Sequence, residues 1–123
     1  MNTLLWISLG AIAGANLRHF AILQVNRWLA GFPYGTLLVN VTGSLLLGFF
    51  LFWAQERNLM DERWRLLVAV GFCGGYTTFS TFAFETFALI EQGNWLLAAA
   101  NVLISNLVCI GAVMLGAYAA RSL

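Results

Sequence analysis

Gly71-Phe-Cys-Gly-Gly-Tyr-Thr-Thr-Phe-Ser-Thr-Phe-Ala-Phe-Glu85 lies inside a stretch otherwise apolar enough to cross a membrane. Its Gly74-Gly75 pair weakens a helix by about 1 kcal/mol per glycine relative to alanine, so a break is expected there. The hydroxyls of Tyr76, Thr77, Thr78, Ser80 and Thr81 follow, interleaved with Phe79, Phe82 and Phe84. Backbone groups released from a helix at bilayer depth cannot face lipid; they are buried in protein or line a wet cavity. A polar, interrupted segment in this setting points to an ion or substrate pathway.

Outward from that segment, the 123-residue chain is 61% hydrophobic and only 9% charged, whereas about a quarter of a soluble domain is charged. Such a chain cannot cover itself with water-facing surface. It reads as a single all-α integral membrane domain over residues 1–123. A bilayer core of about 30 Å takes roughly 20 helical residues, and four stretches qualify, at about 3–25, 34–53, 66–90 and 95–120. The third carries the break. Pro33, the only proline, opens the second span, where its missing N–H does no harm. Trp6, Trp28, Trp53, Trp64 and Trp95 fall near span ends, as an interfacial belt requires. Met1-Asn-Thr-Leu-Leu-Trp lacks the positive start of a cleavable signal peptide and reads as the beginning of a retained span.

All basic residues are arginines, and the net charge is +1. No basic stripe exists to displace counterions, which argues against nucleic acid as a partner. With four spans, Arg57, Arg63, Arg65 and Arg121 share one side of the membrane, against Arg27 and Arg18 on the other. That bias only mildly favours cytoplasmic termini. Cys73 and Cys109 both fall within spans and read as small packing residues.

Each span offers some chemistry. In the first, Gly10, Gly14 and Arg18 recur on one helix face. Gly-x-x-x-Gly lets another backbone approach closely, and Arg18 reads either as a vestibule charge that concentrates anions or as an arginine snorkelling to the interface. His19 has no second ligand in reach. In the second span Thr36, Asn40 and Ser44 form a polar stripe, which the fourth repeats with Asn101, Ser105 and Cys109, Asn106 lying beside it. Two neutral stripes without a buried acid can donate hydrogen bonds yet do not attract cations strongly. Beyond the third-span break, exposed carbonyls are ligands for a hard cation such as Na⁺. Phe79, Phe82 and Glu85 then share a face, and the electropositive ring edges can hold a small anion weakly. Glu85 reads as an interfacial residue paired to an arginine such as Arg18, or as a gate or proton site.

These residues resemble the Fluc, or CrcB, family of bacterial dual-topology fluoride channels. The resemblance covers essentially the whole chain. It rests on the four-span plan, the arginine after a Gly-rich first span, Pro33-Tyr-Gly-Thr-Leu-Leu-Val-Asn40-Val-Thr-Gly43, and above all the Gly71–Glu85 segment. The resemblance implies a passive fluoride channel in the bacterial inner membrane that exports cytoplasmic fluoride. It implies an antiparallel homodimer with two pores and a central Na⁺ held by backbone carbonyls of Gly74 and Thr77. It assigns Asn40, Phe79, Phe82 and Ser105 to the pore, with the Ser80 and Thr81 hydroxyls along it, and Arg18 and Glu85 to vestibule and gating. The fourth span departs from some members: Asn101 stands where they carry tyrosine, and Cys109 where they carry a later serine.

Two other readings compete. A small dual-topology, proton-coupled efflux transporter needs a membrane-embedded carboxylate, for which Glu85 is the one candidate. A non-transporting assembly subunit needs its glycines and asparagines only for packing. An enzyme is disfavoured, since His19 has no plausible nucleophile partner and no metal-ligand cluster exists.

Overall fold

Apolar runs without water to bond their backbone must close their hydrogen bonds within helices. The computed structural model describes residues 2–58 and 61–123, and among these it is helical with no strand. Met1, at the start of the expected domain, and Leu59 and Met60, in the expected 54–65 loop, lie outside the described residues. The elements are α1 (Asn2–Trp28), α2 (Tyr34–Glu56), α3 (Glu62–Trp64), a π-wound segment (Arg65–Cys73), α4 (Gly74–Tyr76), α5 (Phe79–Glu91) and α6 (Trp95–Arg121). The stretch from α3 to α5 forms one long interrupted body, Glu62–Glu91.

There are thus four long helical bodies among the described residues, at nearly the expected positions. Three of them, α2, Glu62–Glu91 and α6, are long and apolar enough to cross a membrane. The first is not among those three, although its 27 residues give it the length. Asn16, Arg18, His19, Gln24, Asn26 and Arg27 dilute its second half. On composition, then, three spans stand where four were expected.

The connections follow from local chemistry. Gly31 at φ 88° and Gly93 at φ 76° occupy the left-handed region that glycine enters without steric cost. Pro33 precedes the first turn of α2. Asp61 caps α3 by accepting the Arg63 N–H at 2.9 Å. At the far ends of α2 and α6, Arg121 lies 3.6 Å from Glu56 and 4.7 Å over the Phe52 ring, which places those two ends on the same side.

Glycines set how closely the helices approach. α1 packs along the π segment and α4, and α2 along α6. A Cβ on Gly10 would run into the Leu67 carbonyl, and one on Gly14 into the Phe72 carbonyl. Gly71 and Gly75 return the contact, against the backbones of Ile7 and Ala11. Gly48 and Gly116 do the same between α2 and α6, facing the carbonyls of Val113 and Leu45. Close backbone approach through small residues is how helices pack where hydrophobic driving force is absent.

The position of the break differs from expectation. Gly74 and Gly75 are helical, inside α4, and Gly75 packs on Ala11. The chain leaves the helix at Thr77 and Thr78, with ψ of 160° and 115°. A glycine pair lowers helix stability without dictating where the helix ends. That is decided by a partner on another helix.

Candidate ion pathway

The partner is Asn40, on α2. Its Oδ1 accepts the Thr78 N–H at 2.7 Å, and its Nδ2 donates to the Thr78 carbonyl at 3.0 Å. The carboxamide thus acts as a surrogate peptide group, satisfying both backbone groups of a residue only 6% exposed. In a continued helix the Thr78 N–H would close on the Gly74 carbonyl; here it is spent on Asn40. α5 restarts at once because the Thr78 hydroxyl oxygen accepts the Thr81 N–H at 3.2 Å, an N-cap. Gly43 gives room for the arrangement, since a Cβ there would meet the Thr77 methyl.

Beside the break lies a cleft of about 260 Å³. Asn40, Gly43, Ser44 and Leu47 line it from α2, Thr77 and Thr78 from the break, Phe79 and Phe82 from α5, and Ser105, Asn106, Cys109 and Ile110 from α6. The two rings lie 5.4 Å apart and tilted by 48°. Phe82 is 8% exposed and forms a wall, whereas Phe79, 75% exposed, stands at the open side. No ionisable acid or base other than the Cys109 thiol lines the cleft. A carboxamide carries two N–H donors. Asn40 uses one on Thr78 and Asn106 one on the Val102 carbonyl, so each keeps a second for a ligand. The cleft therefore offers neutral donors and aromatic edges, a surface suited to a small anion.

Of the residues selected from sequence, Asn40, Phe79, Phe82, Ser105 and Thr77 come together here. Ser80 and Thr81 do not line the cleft; they stay within hydrogen-bond reach of the Thr78 hydroxyl, at 3.3 Å and 3.0 Å. Arg18 donates from Nη1 to the Thr77 carbonyl at 3.2 Å, behind the cleft. It is not paired with Glu85, contrary to one expectation. Glu85 instead accepts from the Thr36 hydroxyl at 2.9 Å through Oε1, and its buried Oε2 has no partner. The α2 stripe therefore divides: Thr36 serves Glu85, Asn40 the break, and Ser44 the cleft.

The α6 stripe divides too. Asn101, 1% exposed, turns inward. It donates to the Thr86 hydroxyl at 2.9 Å and accepts from Ser105 at 3.2 Å. Sequence reasoning passed over Thr86, whose signal was its position one residue after Glu85 on a helix of mostly apolar neighbours. It also passed over the Thr42 hydroxyl, 3.0 Å from the Tyr76 hydroxyl, a link between α2 and α4.

The resemblance assigned a Na⁺ to the Gly74 and Thr77 carbonyls. Gly74 is exposed, with open space where a Cβ would stand, and its carbonyl is freed from the Thr78 N–H. Thr77 offers a carbonyl already engaged by Arg18. These are hard oxygens, the ligand chemistry that a hard cation takes. One chain brings two such carbonyls, which do not by themselves surround a cation.

Residues 5–117 match the family described as CrcB-like protein, Camphor Resistance (CrcB). The chain belongs to the CrcB family. Relatives agree over nearly the whole length. The protein named fluoride-specific ion channel FluC from Koribacter versatilis is 51% identical over 112 residues, covering 89% of this chain and 88% of its own. The FluC of Roseiflexus is 48% identical over 118 residues, 95% of each chain. That of Coxiella burnetii is 47% identical over 126 residues, 100% of each. As a CrcB protein with three helices apolar enough to span, the chain is a multi-pass bacterial membrane protein, of an ion-channel family rather than an enzyme family.

Proposed function

We propose that the protein is a passive fluoride channel of the inner membrane that lets cytoplasmic fluoride leave the cell. The observation that carries this reading is the cleft at the helix break, where the Asn40 carboxamide and the Phe79–Phe82 pair meet without a lining carboxylate. Fluoride is strongly hydrated, so a path must replace its water with dense donors, yet hold it weakly enough at several sites for it to leave. That relatives at about half identity are named fluoride-specific channels supports the choice of ion.

The functional unit in this reading is an antiparallel homodimer, one copy inserted each way, with all four long helices crossing and two paths. Phe79, a cleft residue 75% exposed, stands at the open side of the path, where a second copy would close it. The Gly74 and Thr77 carbonyls of both copies would hold a central Na⁺, which supplies fixed positive charge near the paths. Arg18 adds a second positive charge behind the cleft through its bond to Thr77.

Fluoride efflux from KF-loaded liposomes tests the reading, with an ionophore carrying the balancing K⁺ and KCl-loaded liposomes alongside. Rapid valinomycin-dependent fluoride release with little chloride release is expected. No release from folded, reconstituted dimers overturns it. The buried, unpartnered Glu85 Oε2 is the one observation that favours proton-coupled transport, and flux that saturates and follows a pH gradient would establish that instead.

A further inference from the structure

The α6 wall of the cleft carries a chain of hydrogen bonds whose direction is fixed at one end. Thr86 Oγ1 lies 2.8 Å from the Phe82 carbonyl, which can only accept, so the Thr86 hydroxyl spends its proton there. Its oxygen is left to accept from Asn101, 2.9 Å away, which turns the carboxamide so that Nδ2 faces Thr86 and Oδ1 faces Ser105. Ser105 Oγ is 3.2 Å from that Oδ1, another pure acceptor, and so donates its single proton away from the cleft. Asn101 is 1% exposed and Ser105 6%, so the chain is shielded from solvent.

We propose that Asn101 and Thr86, neither of which touches the cleft, are positioning residues that hold Ser105 with its lone pairs toward the path. The inference rests on the anion-path reading above. An acceptor facing an anion lowers affinity at that point of the wall. Anion binding is then carried by the spare Asn40 and Asn106 donors and the ring edges, while the α6 serine keeps occupancy brief. Removing the Thr86 hydroxyl deletes the acceptor that orients Asn101. The carboxamide is then free to turn Nδ2 toward Ser105, which accepts and aims its own proton into the cleft.

The test compares wild type, Thr86→Val, Thr86→Ser, Ser105→Ala and the Thr86→Val/Ser105→Ala double variant in liposomes, reading the half-saturating fluoride concentration. Thr86→Val should lower it about ten- to hundredfold, the scale of one added hydrogen bond to a charged species. Thr86→Ser should restore the wild-type value, and Ser105→Ala, which removes the lone pairs facing the path without adding a donor, should lower it by less than Thr86→Val does. The double variant should return to the Ser105→Ala value, which a mere packing defect at Thr86 would not do. A loss of affinity in Ser105→Ala overturns the proposal, as does a Thr86→Val effect that survives in the double variant. A second readout does not need flux. In protein labelled at asparagine, Thr86→Val should move the Asn101 side-chain N–H resonances and Ser105→Ala mainly its carbonyl carbon; the reverse pattern refutes the orientation. Wild-type protein that carries no fluoride refutes the channel reading, and the resonances still decide the orientation.

Discussion

Replacing Asn40 by leucine keeps the size of the side chain and removes both hydrogen bonds that hold Thr78 out of the helix. Each bond contributes about 1 kcal/mol net, and each buried group left unpaired costs roughly 1–3 kcal/mol more. Thr78 is 6% exposed, so water does not fully replace the carboxamide. The N–H has an escape, because closing the helix returns it to the Gly74 carbonyl; the Thr78 carbonyl has none nearby. The expected destabilisation is therefore about 2–4 kcal/mol, with the break partly closed. Transport suffers separately. One lost donor to a charged species is worth about 1.5–3 kcal/mol, or roughly ten- to hundredfold in flux. Thermal unfolding in detergent, amide hydrogen exchange at Thr78 and fluoride efflux read the three effects. Unchanged stability and Thr78 exchange in Asn40→Leu would refute the clamp. Wild-type efflux with a demonstrably altered break would refute a role for Asn40 as donor to the ion.

Other outcomes follow from the same geometry. Phe82→Ala removes a buried wall and should cost about 3–5 kcal/mol of stability, whereas Phe79→Ala, at an exposed ring, should leave melting nearly unchanged and still depress fluoride flux. Melting curves that rank the two in the opposite order would contradict the placement. Gly14→Ala should destabilise by about 1–3 kcal/mol through overpacking against Phe72, while Gly111→Ala, which meets nothing within 4 Å, should not destabilise. Glu85→Gln keeps an oxygen for the Thr36 hydroxyl, so channel flux should persist without a proton gradient; abolished flux would favour coupled transport. Exchanging Na⁺ for a bulky organic cation should lower dimer stability if the Gly74 and Thr77 carbonyls hold the ion, measured by subunit exchange between labelled dimers.

Much of the architecture was legible from local chemistry. Apolar runs of membrane-spanning length, the second opened by Pro33, placed the four long helices within a few residues. The Gly10 and Gly14 spacing announced a close helix contact, and the structure supplies the partner, the π segment and α4. The candidate pathway was legible in its membership: Asn40, Phe79, Phe82 and Ser105 do meet at one cleft. What misled was placing the helix break at the glycine pair. Gly74-Gly75 reads locally as a helix breaker, yet both are helical, and at Gly75 the absence of a Cβ admits close packing on Ala11.

By itself, then, the sequence determined that this is a helical membrane protein with a polar interruption in its third long body, because length, hydropathy and the hydroxyl run are local properties. Only the tertiary structure decided where the interruption falls, which carboxylate partner Thr36 serves, and which way Ser105 points. Thr78 meets Asn40 across 38 residues of chain, and Glu85 meets Thr36 across 49. Hydrogen bonds of that reach have no local signature, since an asparagine on a helix face looks the same whether it clamps a backbone, glues two helices or waits for an ion. The buried backbone of the break must be satisfied somewhere, and packing of α2 against it brings Asn40 within reach.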